Sequence, residues 1–396
     1  MSDVSHEQPR IYLDNAATSW PKPEEVYVAV DHYLRVLGAP AGRSGYAEAA
    51  IVERGVEEAR RRLAKLVGLT DPSHLIFTLN GTDSLNLVLH GLLGEGDHVV
   101  TTVVEHNSVL RPLAALQETV GVSVTRVGCD AAGVVDPQEV HKALRPNTRL
   151  VAISHASNVT GAMQPVAEIA YLARAAEALV LCDAAQTAGH MPIDMEQLGI
   201  DFLASSGHKA LLGPLGTGML AIRPEAAPRL KSVRQGGTGT SSDSDRQPET
   251  LPAKFESGNL NVAGILGLSA GVEFLQKRGV AAIECEGRAR CRQLMEGLRE
   301  IPGLAILGPE DARDRVPLVS VVLSGYDPQE VALGLDAVYR IQVRPGLHCA
   351  PLMHQALGTS GTGGTVRLSM GAFTTEAEID AAITAVAEIA VSEMQI

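Results

Sequence analysis

Aromatic residues make up only 3% of this 396-residue chain, and tryptophan occurs once. So sparse a supply argues against a platform on which nucleic-acid bases could stack. Basic residues are the minority charge, 33 Lys and Arg against 46 Asp and Glu, for a formal net charge of −13. That balance repels polyanions and sets aside DNA, RNA and anionic membranes as partners, while leaving small anions to local groups. No apolar run approaches the length of a membrane span. The opening "MSDVSHEQPRIYLDNAATSW" lacks the basic-then-apolar layout of a secretory signal. Cysteine is scarce: Cys129, Cys182, Cys285, Cys291 and Cys349 are widely spread, odd in number and without a CxxC pair. This excludes a disulfide framework and a zinc site, and a reducing cytoplasm with at least one usable thiol is the expectation. No HExxH spacing occurs among the twelve histidines, so no metal is expected. The glycine signatures GxGxxG and GxxxxGK[ST] are missing too, which disfavours a nucleotide.

What is present is an alternation. "HLIFTLN" (74–80), "HVVTTVVEH" (98–106), "VSVTRVG" (122–128), "RLVAISHASN" (149–158), "ALVLCDAAQ" (178–186) and "IDFLASSGH" (200–208) are β-branched, apolar and too short for helices. Amphipathic stretches such as "DSLNLVLHGLL" and "PVAEIAYLARAAEA" lie between several of them. The pattern predicts an α/β fold with a largely parallel sheet covered on both faces. Residues 234–258 are rich in Gly, Ser and Asp and read as a long surface loop. A long helix over "NVAGILGLSAGVEFLQKRG" then leads to a second α/β pattern, with "VPLVSVVLSG" (316–325), "TVRLSM" and a final helix from about Glu376.

Ligands of open α/β sheets sit beyond the carboxyl ends of the strands. Here four such ends carry chemistry: His106, Asn158, Asp183 and Lys209. A carboxylate straight after "ALVLC" is costly unless it meets a cation or donors, and a lysine fenced by small residues in "SSGHKALLGPLGTG" is rarely placed without a task. After "HLIFTLN", the run Gly81-Thr82-Asp83-Ser84 opens a helical pattern, where N–H groups and hydroxyls converge on an anion; the plainer reading is that Thr82 or Asp83 caps its own helix. Taken together, an anion nest, a buried carboxylate, an imidazole, an amide and a lysine suit pyridoxal phosphate. Its phosphate needs the nest, its ring nitrogen an acid, and its aldehyde an amine.

At this point the sequence resembles the cysteine desulfurases and selenocysteine lyases of the class V aminotransferase superfamily. The likeness runs from "YLDNAATSWPKP" to "TVRLSMGAFTTEAEID" and is sharpest in "SNVTGAMQP", "LCDAAQTAGH", "SGHKALLGPLGTGML", "FESGNLN" and "RPGLHCAPLMH". It implies a pyridoxal phosphate fold of type I: a mostly parallel seven-stranded sheet flanked by helices, plus a smaller α+β C-terminal domain. The implied division is an N-terminal segment 1–20 packing with the small domain, a large domain 21–262 and a small domain 263–396. The resemblance also makes Lys209 the Schiff-base lysine, Asp183 the partner of the ring nitrogen, Gln186 the donor to the ring hydroxyl and His106 the imidazole stacked on the ring. Gly81, Thr82, Asp83, Ser206 and His208 correspond to the phosphate cup. Asn158 and Arg367 resemble the pair that holds the substrate carboxylate, with Asn15, Ala16 and Arg344 beside the substrate. The family forms homodimers in which a "FEAGT"-like segment reaches the neighbouring site; here it reads "FESGN", so Asn259 stands where threonine is usual.

Cys349 selects the reaction. It matches the persulfide-forming cysteine of the family's short-loop group, with "GLHC" where "GHHC" is usual, and Arg344 and His348 are expected to favour its thiolate. The resemblance therefore implies a pyridoxal-phosphate-dependent conversion of L-cysteine to L-alanine, leaving a persulfide on Cys349 for an acceptor protein. Selenocysteine lyase or another C–S lyase is the alternative within the family. An aminotransferase, and a non-enzymatic sulfur-carrier scaffold, stand further off.

Overall fold

The computed structural model describes residues 10–42, 45–240 and 243–392. Residues 1–9 of the expected N-terminal segment and 241–242 of the expected loop lie outside the described residues. The chain begins with a short strand, β1 (Ile11–Tyr12), and two helices, α1 (Glu24–His32) and α2 (Ala47–Leu66). There follow β2 (Leu75–Thr78), α3 (Gly81–Leu92), β3 (His98–Thr102), α4 (Asn107–Val120), β4 (Ser123–Val127), α5 (Pro137–Ala143), β5 (Thr148–Ser154), α6 (Val166–Ala175), β6 (Leu179–Asp183), β7 (Phe202–Ser206) and β8 (Gly218–Ile222).

These seven strands form one sheet in the order β2-β8-β7-β6-β5-β3-β4. Pairing is parallel from β7 across to β4, and β8 runs antiparallel to both neighbours. Alternate side chains point to opposite faces of a strand, yet both faces are apolar here because helices cover both. Val99, Leu150, Leu181, Phe202 and Leu220 pack with Leu85, Val88 and Leu113 of α3 and α4. Val100, Val151, Val180, Leu203 and Met219 pack on the other side with Val52, Val56 and Leu63 of α2 and Ile169 of α6. Each large apolar side chain so buried contributes roughly 1.5–3 kcal/mol.

The rest of the chain is α7 (Val262–Arg278), α8 (Val280–Arg299), β9 (Leu304–Leu307), β10 (Leu318–Leu323), α9 (Pro328–Tyr339), β11 (Ile341–Gln342), β12 (Arg344–Gly346), α10 (Pro351–Ala356), β13 (Thr365–Ser369) and α11 (Glu376–Ser392). A four-stranded antiparallel sheet, β12-β13-β10-β9, carries α8, α9 and α11. The α/β architecture with a mostly parallel seven-stranded sheet and a smaller α+β part is as expected. β1 pairs in parallel with β11, and Asp14 bridges to Ser369, so the first described residues lie beside the small sheet.

Two expectations about local structure need correcting. The apolar runs overshoot the strands: pairing stops at Thr102, Ser154 and Ser206, not at His106, Asn158 and His208. Residues beyond the ladder, such as Val104 and Ala156, stay buried beneath loops, so hydropathy does not fall where hydrogen bonding ends. The cap of α3 is neither Thr82 nor Asp83 but Asn80, whose Oδ1 accepts from the Asp83 N–H at 2.9 Å. Among the described residues no helix is long and apolar enough to cross a membrane.

Candidate active site

The chain order jumps across β3: β4 lies on one side of it and β5 on the other. Crevices at such a reversal, beyond the carboxyl ends of strands, are where α/β sheets hold ligands. Here a cleft is walled by residues at or just beyond the ends of β2, β3, β5, β6 and β7. One wall is the start of α3. The Gly81 N–H donates to Ser206 Oγ at 3.1 Å, and a Cβ on Gly81 would stand 2.8 Å from that oxygen, so the close approach of helix and strand requires glycine. Thr82 Oγ1 lies 2.7 Å from Ser108 Oγ at the start of α4. Two helix N-termini and three hydroxyls thus converge on one end of the cavity, a setting that favours an anion.

Opposite charges occupy the other walls. Asp183, the last residue of β6, is 8% exposed; its Oδ1 accepts from the Ala185 N–H at 2.9 Å. Burial raises its pKa, and Lys209 pulls the other way. The Lys209 amine has no hydrogen bond or ion pair to any described residue, and burial brings its pKa from 10.5 down to about 8 despite Asp183. His106 caps α4 by accepting the Ser108 N–H on Nδ1 at 3.0 Å. That bond assigns the proton of the neutral ring to Nε2. Burial, then Lys209, lowers its pKa to about 4, so the ring is neutral at pH 7.

Beside the cavity, Arg367 of β13 is 1% exposed and donates to the Asn158 carbonyl at 3.1 Å and to Asp14 Oδ1 at 2.9 Å, while its Nε is buried without a partner. A guanidinium fork with a spare donor can hold a further carboxylate. Arg344 pairs in register with Arg367 and donates from Nη2 to Cys349 Sγ at 3.4 Å. Cys349 is half-buried, and both it and His348 have left-handed backbones, at φ 60° and 48°. Such conformations cost non-glycine residues roughly 1–3 kcal/mol each and collect at functional sites.

The aminotransferase class-V family model matches residues 11–382. The chain belongs to this family. Among curated relatives, a protein of Methanothermobacter thermautotrophicus named "Probable cysteine desulfurase" is 36% identical over 95% of this chain and 94% of its own. Two solved structures superpose closely. The apo cysteine desulfurase of Thermococcus onnurineus NA1 has a TM-score of 0.90 and 33% identity, covering 96% of this chain and 94% of the other. The cysteine desulfurase CsdA of Escherichia coli has a TM-score of 0.87 and 31% identity over 97% and 95%.

In this class-V aminotransferase chain the cavity walls include Gly81, Thr82, His106, Asn158, Asp183, Gln186, Ser206 and Lys209 of the residues singled out from sequence. Others sit elsewhere. Asp83 turns its carboxylate to the Leu79 N–H (3.0 Å) and Arg234 (3.2 Å). Asn259 is exposed. Asn15 spends its amide on the carbonyls of Ser369 and Tyr12, and Ala16 accepts from Gln186 Nε2 at 3.1 Å. The His208 ring lies outside the walls with a buried, unpartnered Nδ1, and its carbonyl is pinned by Thr18, Ser19 and Lys22. His348 cannot be the cation expected beside Cys349. Buried at 2% exposure next to Arg367, its pKa is pushed down to about 2.

Sequence reasoning missed Ser108, Ser154 and Glu105. The fully buried Glu105 accepts from Thr102 Oγ1 (2.7 Å) and Ser154 Oγ (2.8 Å), and burial pushes its pKa up to about 7. A charged residue next to last in "VVTTVVEH" was the available signal. Pyridoxal phosphate fits what is present: an anion nest, a buried acid with one oxygen unbonded, and an unpartnered amine facing one cavity. Among the described residues no cluster could hold a metal ion.

Proposed function

We propose that this chain is a pyridoxal-phosphate-dependent cysteine desulfurase that converts L-cysteine to L-alanine and carries the released sulfur on Cys349. The observation that carries the reading is the thiol of Cys349 beside Arg344, on a strained loop next to the cavity of Lys209 and Asp183. Its named relatives support the same activity.

Bound there, the cofactor supplies an aldehyde for the substrate amine and a ring that draws electrons away from Cα. The chain's own groups do the rest. Thr82 Oγ1, Ser206 Oγ and the α3 N-terminus would hold the phosphate, Asp183 would pair with the ring nitrogen and Arg367 would orient the substrate carboxylate. Lys209, with its amine brought near neutrality by burial, takes the α-proton. The Cys349 thiolate, with Arg344 as counter-charge, attacks the substrate sulfur. An S–S bond forms and the Cβ–S bond breaks, its electron pair staying with carbon. That carbon takes a proton, for which the Nε2–H of His106 is the nearby neutral donor, Lys209 returns to Cα the proton it took, and alanine leaves.

The finer features belong to the same proposal. Exposed Val28, Leu34, Val36, Tyr46 and Ile51 on and after α1 and on α2 support a homodimer, with Asn259 reaching the partner's phosphate site. A separate core under the four-stranded sheet, which includes Leu13, supports a small domain joined by the N-terminal segment. Val262, Ile265, Leu268 and Val272 of α7 pack in the large core, which favours a boundary after α7 over one at 262. The five free cysteines suit a reducing cytoplasm, and an acceptor protein would take the sulfur. Replacing Cys349 by alanine tests the reaction. Alanine formation from cysteine should vanish while the cofactor's visible absorbance persists; normal turnover would sink the persulfide role. Turnover kept only with selenocysteine would instead support the lyase alternative.

A further inference from the structure

Side chains disfavour the left-handed region, yet His348 and Cys349 occupy it one after the other. Four hydrogen bonds hold them there. Asn158 Nδ2 donates to the His348 carbonyl at 2.6 Å, and the N–H of Asn107, the residue after His106, donates to the Cys349 carbonyl at 2.8 Å. The Ala350 N–H closes the turn on the Leu347 carbonyl at 2.9 Å. The fourth bond runs from the His348 ring to Thr365 of β13, Nε2 to Oγ1 at 2.8 Å.

That ring is locked in one form. Its Nδ1 is buried without a partner, so the proton sits on Nε2, where it is donated to Thr365, and the atom left over is an acceptor. Burial beside Arg367 keeps the ring neutral. Thr365 pairs in register with Gly346, and Arg344 pairs with Arg367 two residues further along β13. One strand therefore references both the backbone that bears the thiol and the guanidinium facing the substrate carboxylate.

We propose, on the desulfurase reading above, that His348 and Thr365 are positioning residues: their hydrogen bond holds Cys349 at a set distance from a cysteine substrate anchored on Arg367. Neither touches the substrate. The lock governs how often the thiol is aligned for attack and leaves substrate binding alone, so it acts on kcat and not on KM.

The test compares Thr365→Val, which keeps the shape and removes the hydroxyl, with Thr365→Ser, which keeps the hydroxyl; His348→Gln, whose amide can still donate to Thr365, serves as a second route. Thr365→Val should lower kcat for L-cysteine by about tenfold or more with KM within about twofold, and Thr365→Ser and His348→Gln should recover most of it. In the cofactor-free protein, amide hydrogen exchange of the 344–350 peptide should speed up about tenfold in Thr365→Val, as expected from losing one hydrogen bond, with the 202–206 peptide unchanged. Unchanged kcat, a loss confined to KM, or slowed turnover without faster exchange would each overturn the lock. Full turnover by Cys349→Ala would overturn the desulfurase reading instead, and the exchange comparison would still decide whether Thr365 holds the loop.

Discussion

Lys209 is a residue the fold would be more stable without. Its amine falls from 10.5 to about 8 because burial removes water that nothing replaces, and Asp183 restores only part of the loss. At 1.36 kcal/mol per pKa unit, that depression corresponds to an upper bound of about 3 kcal/mol. Two effects reduce it. The side chain keeps some solvent contact through the cavity, and removing it strips Asp183 of its counter-charge. A net gain of about 2 kcal/mol is therefore expected for Lys209→Met in the cofactor-free protein at pH 7. The sign follows from linkage. Between the folded value near 8 and the unfolded value of 10.5, the unfolded chain binds more protons, so wild-type stability rises with pH through this window. Below it both states are protonated and the penalty is fully present; above it the penalty is gone. Urea denaturation at pH 7 and again near pH 10.5 measures this directly. The variant should exceed wild type at the lower pH and match it at the higher. Equal or lower stability at pH 7, or the same gain at both, would refute the claim that Lys209 is held at a cost to the fold.

Other outcomes follow from the same geometry. Adding a methyl group at Gly81 crowds Ser206 Oγ, so Gly81→Ala should weaken binding of inorganic phosphate and of pyridoxal phosphate by about tenfold, read by titration. Glu256 of the "FESGN" segment meets the buried Arg60 through both oxygens, at 2.7 and 2.9 Å, and accepts the Phe77 N–H; Glu256→Ala should cost about 3–5 kcal/mol in urea denaturation, the usual result of stranding a buried charge. His155 is 5% exposed and burial lowers its pKa to about 4. The unfolded chain takes up its proton first as pH falls below 6.5, so stability should drop by about 2 kcal/mol on its account by pH 5, and His155→Gln should show a shallower decline.

Much of the site was legible because misplaced polarity is expensive. Asp183 after five apolar residues, and Lys209 among glycines, stand out against their surroundings, and both face the cavity. Ser108 and Ser154 did not stand out, since serine is ordinary near strand and helix ends. The pairing of Arg367 with Asp14 joins residues 353 apart, which no local pattern reveals. The neutrality of His348 depends on burial against Arg367, so its motif position alone suggested the wrong charge. For the fold, alternating apolar runs and helices reported the parallel sheet, but not where pairing stops. Strand β8 went unread because its five residues follow a glycine-rich turn and offer too short a signal.

The most direct measurement is the mass of the Cys349 peptide after one turnover. Protein loaded with pyridoxal phosphate and mixed with L-cysteine should yield alanine and a peptide heavier by one sulfur atom, in matching amounts, with the other four cysteines unmodified. Alanine released with no extra sulfur on that peptide would contradict Cys349 as the attacking thiol, and no alanine at all would contradict the reaction.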